Sequence, residues 1–201
     1  MPLLEVHDIV SGYGRTDVLH GASIAVEREE IVTIIGPNGA GKSTFLKILA
    51  DMKSADSGEI SRKRNTHMIY LPQEDVLDPE KTIEETLFNT VPKELEAWQL
   101  SKRQQEIISL IEVDNTNQQV KTLSGGWRKR LAIGQALFQK PDLLLMDEPT
   151  NHLDLEGILW LENLLKEAPF AFVLVSHDRF FLENTTNRIV ELNRRYPEGF
   201  I

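Results

Sequence analysis

Apolar residues fall into short, nearly continuous runs separated by longer stretches with helical spacing. Ile31–Ile35, Met68–Leu71, Asp142–Asp147 and Phe170–Val175 are brief and rich in Val, Ile and Leu. Gly36-Pro37 and Pro72 stop the first two. Such runs suit strands buried on both faces. Leu4–Ile9 and Val18–Val26 predict two further strands around a turn at Ser11-Gly12-Tyr13-Gly14, and Arg188–Leu192 predicts the last strand. Ser43–Asp51 carries Phe45, Leu46, Ile48 and Leu49 on one helical stripe, and Leu155–Glu167 is a helix stopped by Pro169. Residues 74–122 turn polar and helix-forming, with helices expected in Thr82–Asn89 and Lys93–Glu112. Ser124–Phe138 follows as a helix entered through Gly125-Gly126. Residues 74–138 thus predict an inserted helical subdomain within one domain spanning 1–201. Strands alternating with helices predict an α/β fold, a mostly parallel sheet flanked by helices, with ligands at the carboxyl ends of its strands.

Composition narrows the function classes. Apolar residues make up 41% and charged residues 26%, which fits a folded globular chain and excludes a disordered one. Lys and Arg number 22 against 31 Asp and Glu, a net charge of −9, which argues against a generic basic nucleic-acid coat. Two local basic clusters stand out. Arg128-Lys129-Arg130 reads as a solvated helix face, and Arg62-Lys63-Arg64 as part of a β-turn. Cysteine is absent, so no disulfide framework or thiolate metal site exists. Phe170–Val175, the longest apolar run, falls far short of the roughly 20 residues that span a bilayer. Met1–Glu5 has neither a basic nor a long apolar segment of a signal peptide. The chain is expected to be soluble and cytoplasmic, with no membrane span of its own.

The chemistry is concentrated in three places. Gly36-Pro37-Asn38-Gly39-Ala40-Gly41-Lys42-Ser43-Thr44 satisfies G-x-x-x-x-G-K-[ST] between a predicted strand and a predicted helix. Glycines let the backbone curl so that its N–H groups face phosphate oxygens, and the helix N-terminus adds its positive end. In that motif Lys42 neutralises β- and γ-phosphate charge and Ser43 can ligate Mg²⁺. Next, the apolar run Leu143–Met146 ends in Asp147-Glu148. After a P-loop, the first carboxylate holds Mg²⁺, and the second is placed to polarise the attacking water. Finally, Ser124-Gly125-Gly126 opens a helix and forms another candidate anion nest.

The order P-loop, Gln73, Ser124-Gly125-Gly126, Asp147-Glu148, His177 resembles the nucleotide-binding cassette of the ABC ATPases, over nearly the whole chain. The resemblance implies a P-loop NTPase fold with an antiparallel β subdomain as well as the helical one, and Mg-ATP as substrate. It implies that Tyr13 stacks on adenine, that Gln73 meets Mg²⁺ and the attacking water, and that His177 touches the γ-phosphate. Glu148, His177 and Lys42 become the catalytic candidates, and Ser43, Gln73 and Asp147 the metal candidates. Asn151-His152-Leu153-Asp154 matches the loop that crosses to a second cassette, while Asp154 is also placed to cap the helix from Leu155. In such a family Ser124-Gly125-Gly126 contacts the ATP of the opposite cassette, so the partner is a second cassette, either another copy or a tandem one. LSGGWRKR (123–130), DEPTNHLDL (147–155) and SHDRFFL (176–182) look like the ABC-F branch, soluble two-cassette proteins acting on ribosomes. Against that branch the 201 residues correspond to one cassette. Ile9–Ser23 and Glu30–Lys47 look more like branched-chain amino-acid importer cassettes, so the engine of a transmembrane transporter stays open, as does a dimerisation module with little hydrolysis.

Overall fold

The buried runs become the middle of a five-stranded sheet. The computed structural model describes residues 2–13, 16–89 and 96–192. Strands are β1 (Leu4–Tyr13), β2 (Thr16–Val26), β3 (Ile31–Ile35), β4 (Ser57–Arg62), β5 (Met68–Leu71), β6 (Leu143–Asp147), β7 (Ala171–Val175) and β8 (Arg188–Glu191). Helices are α1 (Lys42–Leu49), α2 (Ile83–Leu87), α3 (Ala97–Ile111), α4 (Gly125–Phe138), α5 (Leu155–Glu167) and α6 (Arg179–Thr185), with a 3-10 turn at Val120–Thr122. One sheet runs β5-β6-β7-β3-β8, every neighbouring pair parallel; the other is antiparallel, β2-β1-β4. None of the described helices is long and apolar enough to cross a membrane.

The apolar continuity of β6 and β7 follows from cover on both faces. Leu143, Leu145, Ala171, Val173 and Val175 pack toward α1 and the antiparallel sheet. Their alternates Leu144, Met146, Phe172 and Leu174 pack toward the helices α2–α5. On α1 the stripe Phe45, Leu46, Ile48, Leu49 is buried as its spacing predicts. On α5, Trp160, Leu161, Leu164 and Leu165 do the same. Helices α2, α3 and α4 pack on one another and on this second core through Leu87, Ile107, Ile111, Leu131 and Ile133.

Several local expectations change. Ser11–Tyr13 is strand rather than turn: β1 continues, with register shifts, until Tyr13 opposes Thr16. The Tyr13 side chain, Gly14 and the start of the predicted Lys93–Glu112 helix lie outside the described residues. β4 carries no apolar alternation because it is an edge strand with little burial, held by its pairing to β1. α6 is too short to show a period and is set by its cap, Asp178 accepting from the Phe181 N–H at 3.1 Å. Arg62 belongs to β4, not to a turn. Its guanidinium pairs with Asp51 and donates to the Leu49 carbonyl at 2.8 Å, closing the C-terminus of α1.

Helices α2 and α3 come close to α4 at Gly134. A Cβ there would stand 2.7 Å from Ile111 Cγ2 and 3.1 Å from Leu87 Cδ2. Gly134→Ala should therefore gain helix propensity yet lose stability by about 1–3 kcal/mol from overpacking. The check is a lower urea midpoint at unchanged slope; an unchanged or higher midpoint would mean that α3 gives way freely.

Candidate functional site: a phosphate cleft at the carboxyl edge of the sheet

Because all five strands are parallel, their carboxyl ends meet at one edge. Register places Ile34, Val175 and Asp147 side by side there, with Leu71 beside Met146. The segments leaving those ends are the P-loop after β3, Gln73 after β5, Asp147-Glu148 at the end of β6 and His177 after β7. Together they line a cleft of ≈ 560 Å³, with Asn38, Gly39, Gly41, Lys42, Ser43 and Thr44 on one side and Gln73, Asp147, Glu148 and His177 facing them.

The loop's glycines are required by space as well as conformation. At Gly36, φ is +152° and a Cβ would lie 2.5 Å from the Leu192 carbonyl oxygen. At Gly41, φ is +89° and a Cβ would lie 2.8 Å from Leu19 Cδ2. Gly41 caps α1 and brings no side chain to its first turn, the end of a helix where an anion is favoured. Ala40 turns into the core, and its N–H donates to the Pro37 carbonyl at 3.1 Å. Lys42 is buried on the first turn, its Nζ donating to the carbonyls of Gly36 at 2.7 Å and Pro37 at 3.2 Å. Burial lowers its pKa, an effect opposed by Glu148 and Asp147.

Asp147 is 3% exposed. Its Oδ2 accepts from the Tyr70 hydroxyl at 3.4 Å, while Oδ1 is buried without a hydrogen-bond partner. Burial and the Asp147 charge push the Tyr70 pKa up, so the phenol stays a donor. An orphaned carboxylate oxygen beside a hydroxyl and an amide side chain is a donor set that suits Mg²⁺, which keeps water and phosphate oxygens for its other positions. Among the described residues no cluster of three or more His, Asp or Glu could hold a metal by itself. The orphaned Asp147 oxygen, with Ser43 and Gln73 lining the same cleft, fits a divalent cation.

Glu148 has φ +49°, a strained setting for a non-glycine residue. Its N–H still donates to the Val175 carbonyl at 2.9 Å, so the strand pairing ends as the chain turns over the cleft. Its Oε1 lies 3.3 Å from His177 Nε2. Burial raises the Glu148 pKa, and His177 partly offsets this.

Ser124, Gly125, Gly126 and Asp154 lie elsewhere. They line a second hollow with Trp127, Arg130 and His152, apart from the residues that line the phosphate cleft. Ser124 caps α4 and Asp154 caps α5, its Oδ1 accepting from the Gly157 N–H at 2.8 Å, so the capping reading of Asp154 holds. The basic cluster does not form the solvated face its composition suggests. Only Arg128 is exposed. Lys129 is buried against Asp75, Nζ to Oδ1 2.7 Å. Arg130 sits between the Trp127 and Trp160 rings, 5.0 Å from each centroid, and donates to Glu112 at 2.7 Å. Asn151, read from the sequence as part of the loop crossing to a second cassette, lines the phosphate cleft, and sequence reasoning passed over Tyr70. The one signal for Tyr70 was a phenol inside a short buried strand, which needs a partner.

The raised Glu148 pKa has a stability consequence. A carboxyl group harder to ionise when folded loses stability as pH rises from the ordinary glutamate range through its folded value. Glu148→Gln should therefore melt at a higher temperature than wild type at pH 7, with the gap closing as pH falls through that range. Equal melting temperatures at pH 7 would show that His177 and Lys42 offset the burial fully.

Against known proteins, residues 19–151 match the family described as ABC transporter. The chain is 36% identical to ATP-binding protein Uup of Buchnera aphidicola subsp. Acyrthosiphon pisum, over 96% of this chain and 33% of that protein. It is 34% identical to energy-dependent translational throttle protein EttA of Escherichia coli K12, over 81% of this chain and 36% of that protein. A solved ATP-binding subunit of an ABC transporter superposes with TM-score 0.84 at 28% identity, covering 95% of this chain and 86% of that one. The chain spans about a third of the length of the relatives it matches. P-loop, sheet order and these likenesses agree: the chain belongs to the ABC transporter family and is similar to its ABC-F branch.

Proposed function

We propose that this chain binds Mg-ATP in the phosphate cleft and hydrolyses it as one of two cassettes paired head to tail. The observation that carries the reading is Asp147 Oδ1, buried and unpartnered in the cleft that Lys42, Ser43 and Gln73 line. Lys42 and the P-loop amides hold the β- and γ-phosphates. Ser43, Gln73 and Asp147 would hold Mg²⁺, which when bound would neutralise phosphate charge. Glu148 takes a proton from the water that attacks the γ-phosphorus, and the bond to the bridging oxygen breaks to release ADP. Its burial makes it a stronger base than an exposed glutamate. His177, 3.3 Å away, holds that carboxylate and faces the γ-phosphate. Tyr13 is assigned to the adenine ring by resemblance alone.

The Ser124–Gly126 turn and Asp154 serve the ATP of the opposite cassette. Their separation from the chain's own P-loop cleft supports this. That cassette is a second copy or a tandem partner. Residues 74–138 act as the helical subdomain of a single nucleotide-binding domain. The cytoplasm and the ribosome are the proposed setting, supported by likeness to a protein named a translational throttle. A second reading, the ATP-binding subunit of a membrane transporter, is favoured by likeness to a solved subunit of that kind.

Lys42→Ala should abolish nucleotide binding. Glu148→Gln should keep ATP binding, lower turnover by about 10²–10⁴-fold and trap the pair. Light scattering should then show the 22.9 kDa mass doubling only with ATP. Full turnover in Glu148→Gln would refute the base, and a constant mass with ATP bound would point to a tandem partner. Cosedimentation with ribosomes in ATP favours the first setting; its absence favours the transporter.

A further inference from the structure

The phosphate cleft and the hollow at Ser124-Gly125-Gly126, here the signature turn and the signature hollow, have different linings, and one buried side chain joins the elements that build them. Lys129 lies on α4, one helical turn beyond Gly125. Its side chain is 2% exposed. Its Nζ donates to the backbone carbonyl of Gln73 at 3.0 Å and to Asp75 Oδ1 at 2.7 Å. The Asp75 side chain is itself only 12% exposed. The ammonium thus grips the residue whose side chain lines the phosphate cleft, while its own helix begins at the signature turn.

A buried ammonium separated from its carboxylate is strongly disfavoured. The 73–75 segment therefore cannot slide along α4 without either breaking that pair or taking α4 with it. Next along α4, Arg130 lies over the Trp160 ring and donates to Glu112, so a second buried charge ties α4 to α3 and α5. The backbone bond to Gln73 matters most, since it fixes the residue's main chain rather than a mobile side-chain tip.

We propose that Lys129 is a positioning residue that makes the Gln73 loop and the signature turn move as one body. Engagement of the signature turn by a second cassette then sets where Gln73 stands in the chain's own cleft. The coupling is reciprocal, so nucleotide at Gln73 biases the signature turn in turn. This rests on the reading of the cleft given above, but the linkage has a test that needs no hydrolysis.

That test is amide hydrogen exchange on the 201-residue chain without nucleotide. Asp75→Asn should speed exchange at Trp127 and Arg128, in the first turn of α4, as well as in residues 73–77; Lys129→Met should do the same. Loosening confined to 73–77 would overturn the proposal. If either single variant fails to fold, Lys129→Met with Asp75→Asn removes both charges together and is read the same way. In turnover, Lys129→Met should lower kcat by about 10–100-fold with nucleotide affinity within about twofold of wild type. Added to Gln73→Ala, it should cost nothing further, because it acts through Gln73. Losses that multiply in the double variant would mark Lys129 as merely structural. A wild-type rate that survives Lys42→Ala would refute the reading of the cleft instead, and the exchange result would still decide the linkage.

Discussion

The structure depends on β6 and β7 being buried on both faces. Two apolar layers take every inward and outward position of those strands up to Asp147, so no polar side chain stands on β6 or β7 before that residue. Polar chemistry is pushed to the strand ends, and parallel direction puts the carboxyl ends together. Asp147 is the last residue of β6 and the first that the apolar layers do not claim. Reversing one strand would carry its terminal residues to the opposite edge. The cleft is therefore a consequence of sheet direction before it is a matter of particular side chains.

Charge at that edge is managed by partial, not full, compensation. Lys42 is tied to two backbone carbonyls, Glu148 faces a histidine and Asp147 keeps one oxygen unpaired. Burial raises the cost of the charged forms of Lys42 and Glu148, and their neighbours offset only part of it. A fully satisfied network would be more stable and would have nothing left to offer a phosphate or a cation. The strained backbone at Glu148 belongs to the same pattern, a local cost held in place by the β6–β7 pairing beneath it. On α4 the charges are better paired: Arg130 has its aromatic rings and Glu112, and Lys129 has Asp75 and the Gln73 carbonyl.

The contrast explains what was legible in the sequence. The central strands, α1 and α5 were legible because dense burial writes a period into the residues. The P-loop and Asp147-Glu148 were legible because their members are contiguous and bounded by those elements. β4 and α6 left no period, since an edge strand and a two-turn helix bury too little. Arg128-Lys129-Arg130 was misread because a run of like charges along the chain says nothing of its partners. Those partners are Asp75, Glu112 and Trp160, brought up by tertiary packing from other elements. The Asp154 cap could be read because its partner lies only three residues on.

The two hollows of this chain have complementary needs. The phosphate cleft has a cation, an orphaned carboxylate oxygen and a candidate base, with the signature turn held away from it. The signature hollow has two glycines packed against the His152 loop, a Cβ at Gly125 standing 3.0 Å from the His152 side chain, but no P-loop. Lys129 ties α4 to the Gln73 loop and Arg130 ties it to Glu112, which works against that turn folding over to meet its own P-loop. Under the proposed pairing, a second molecule or a second domain would supply what each hollow lacks.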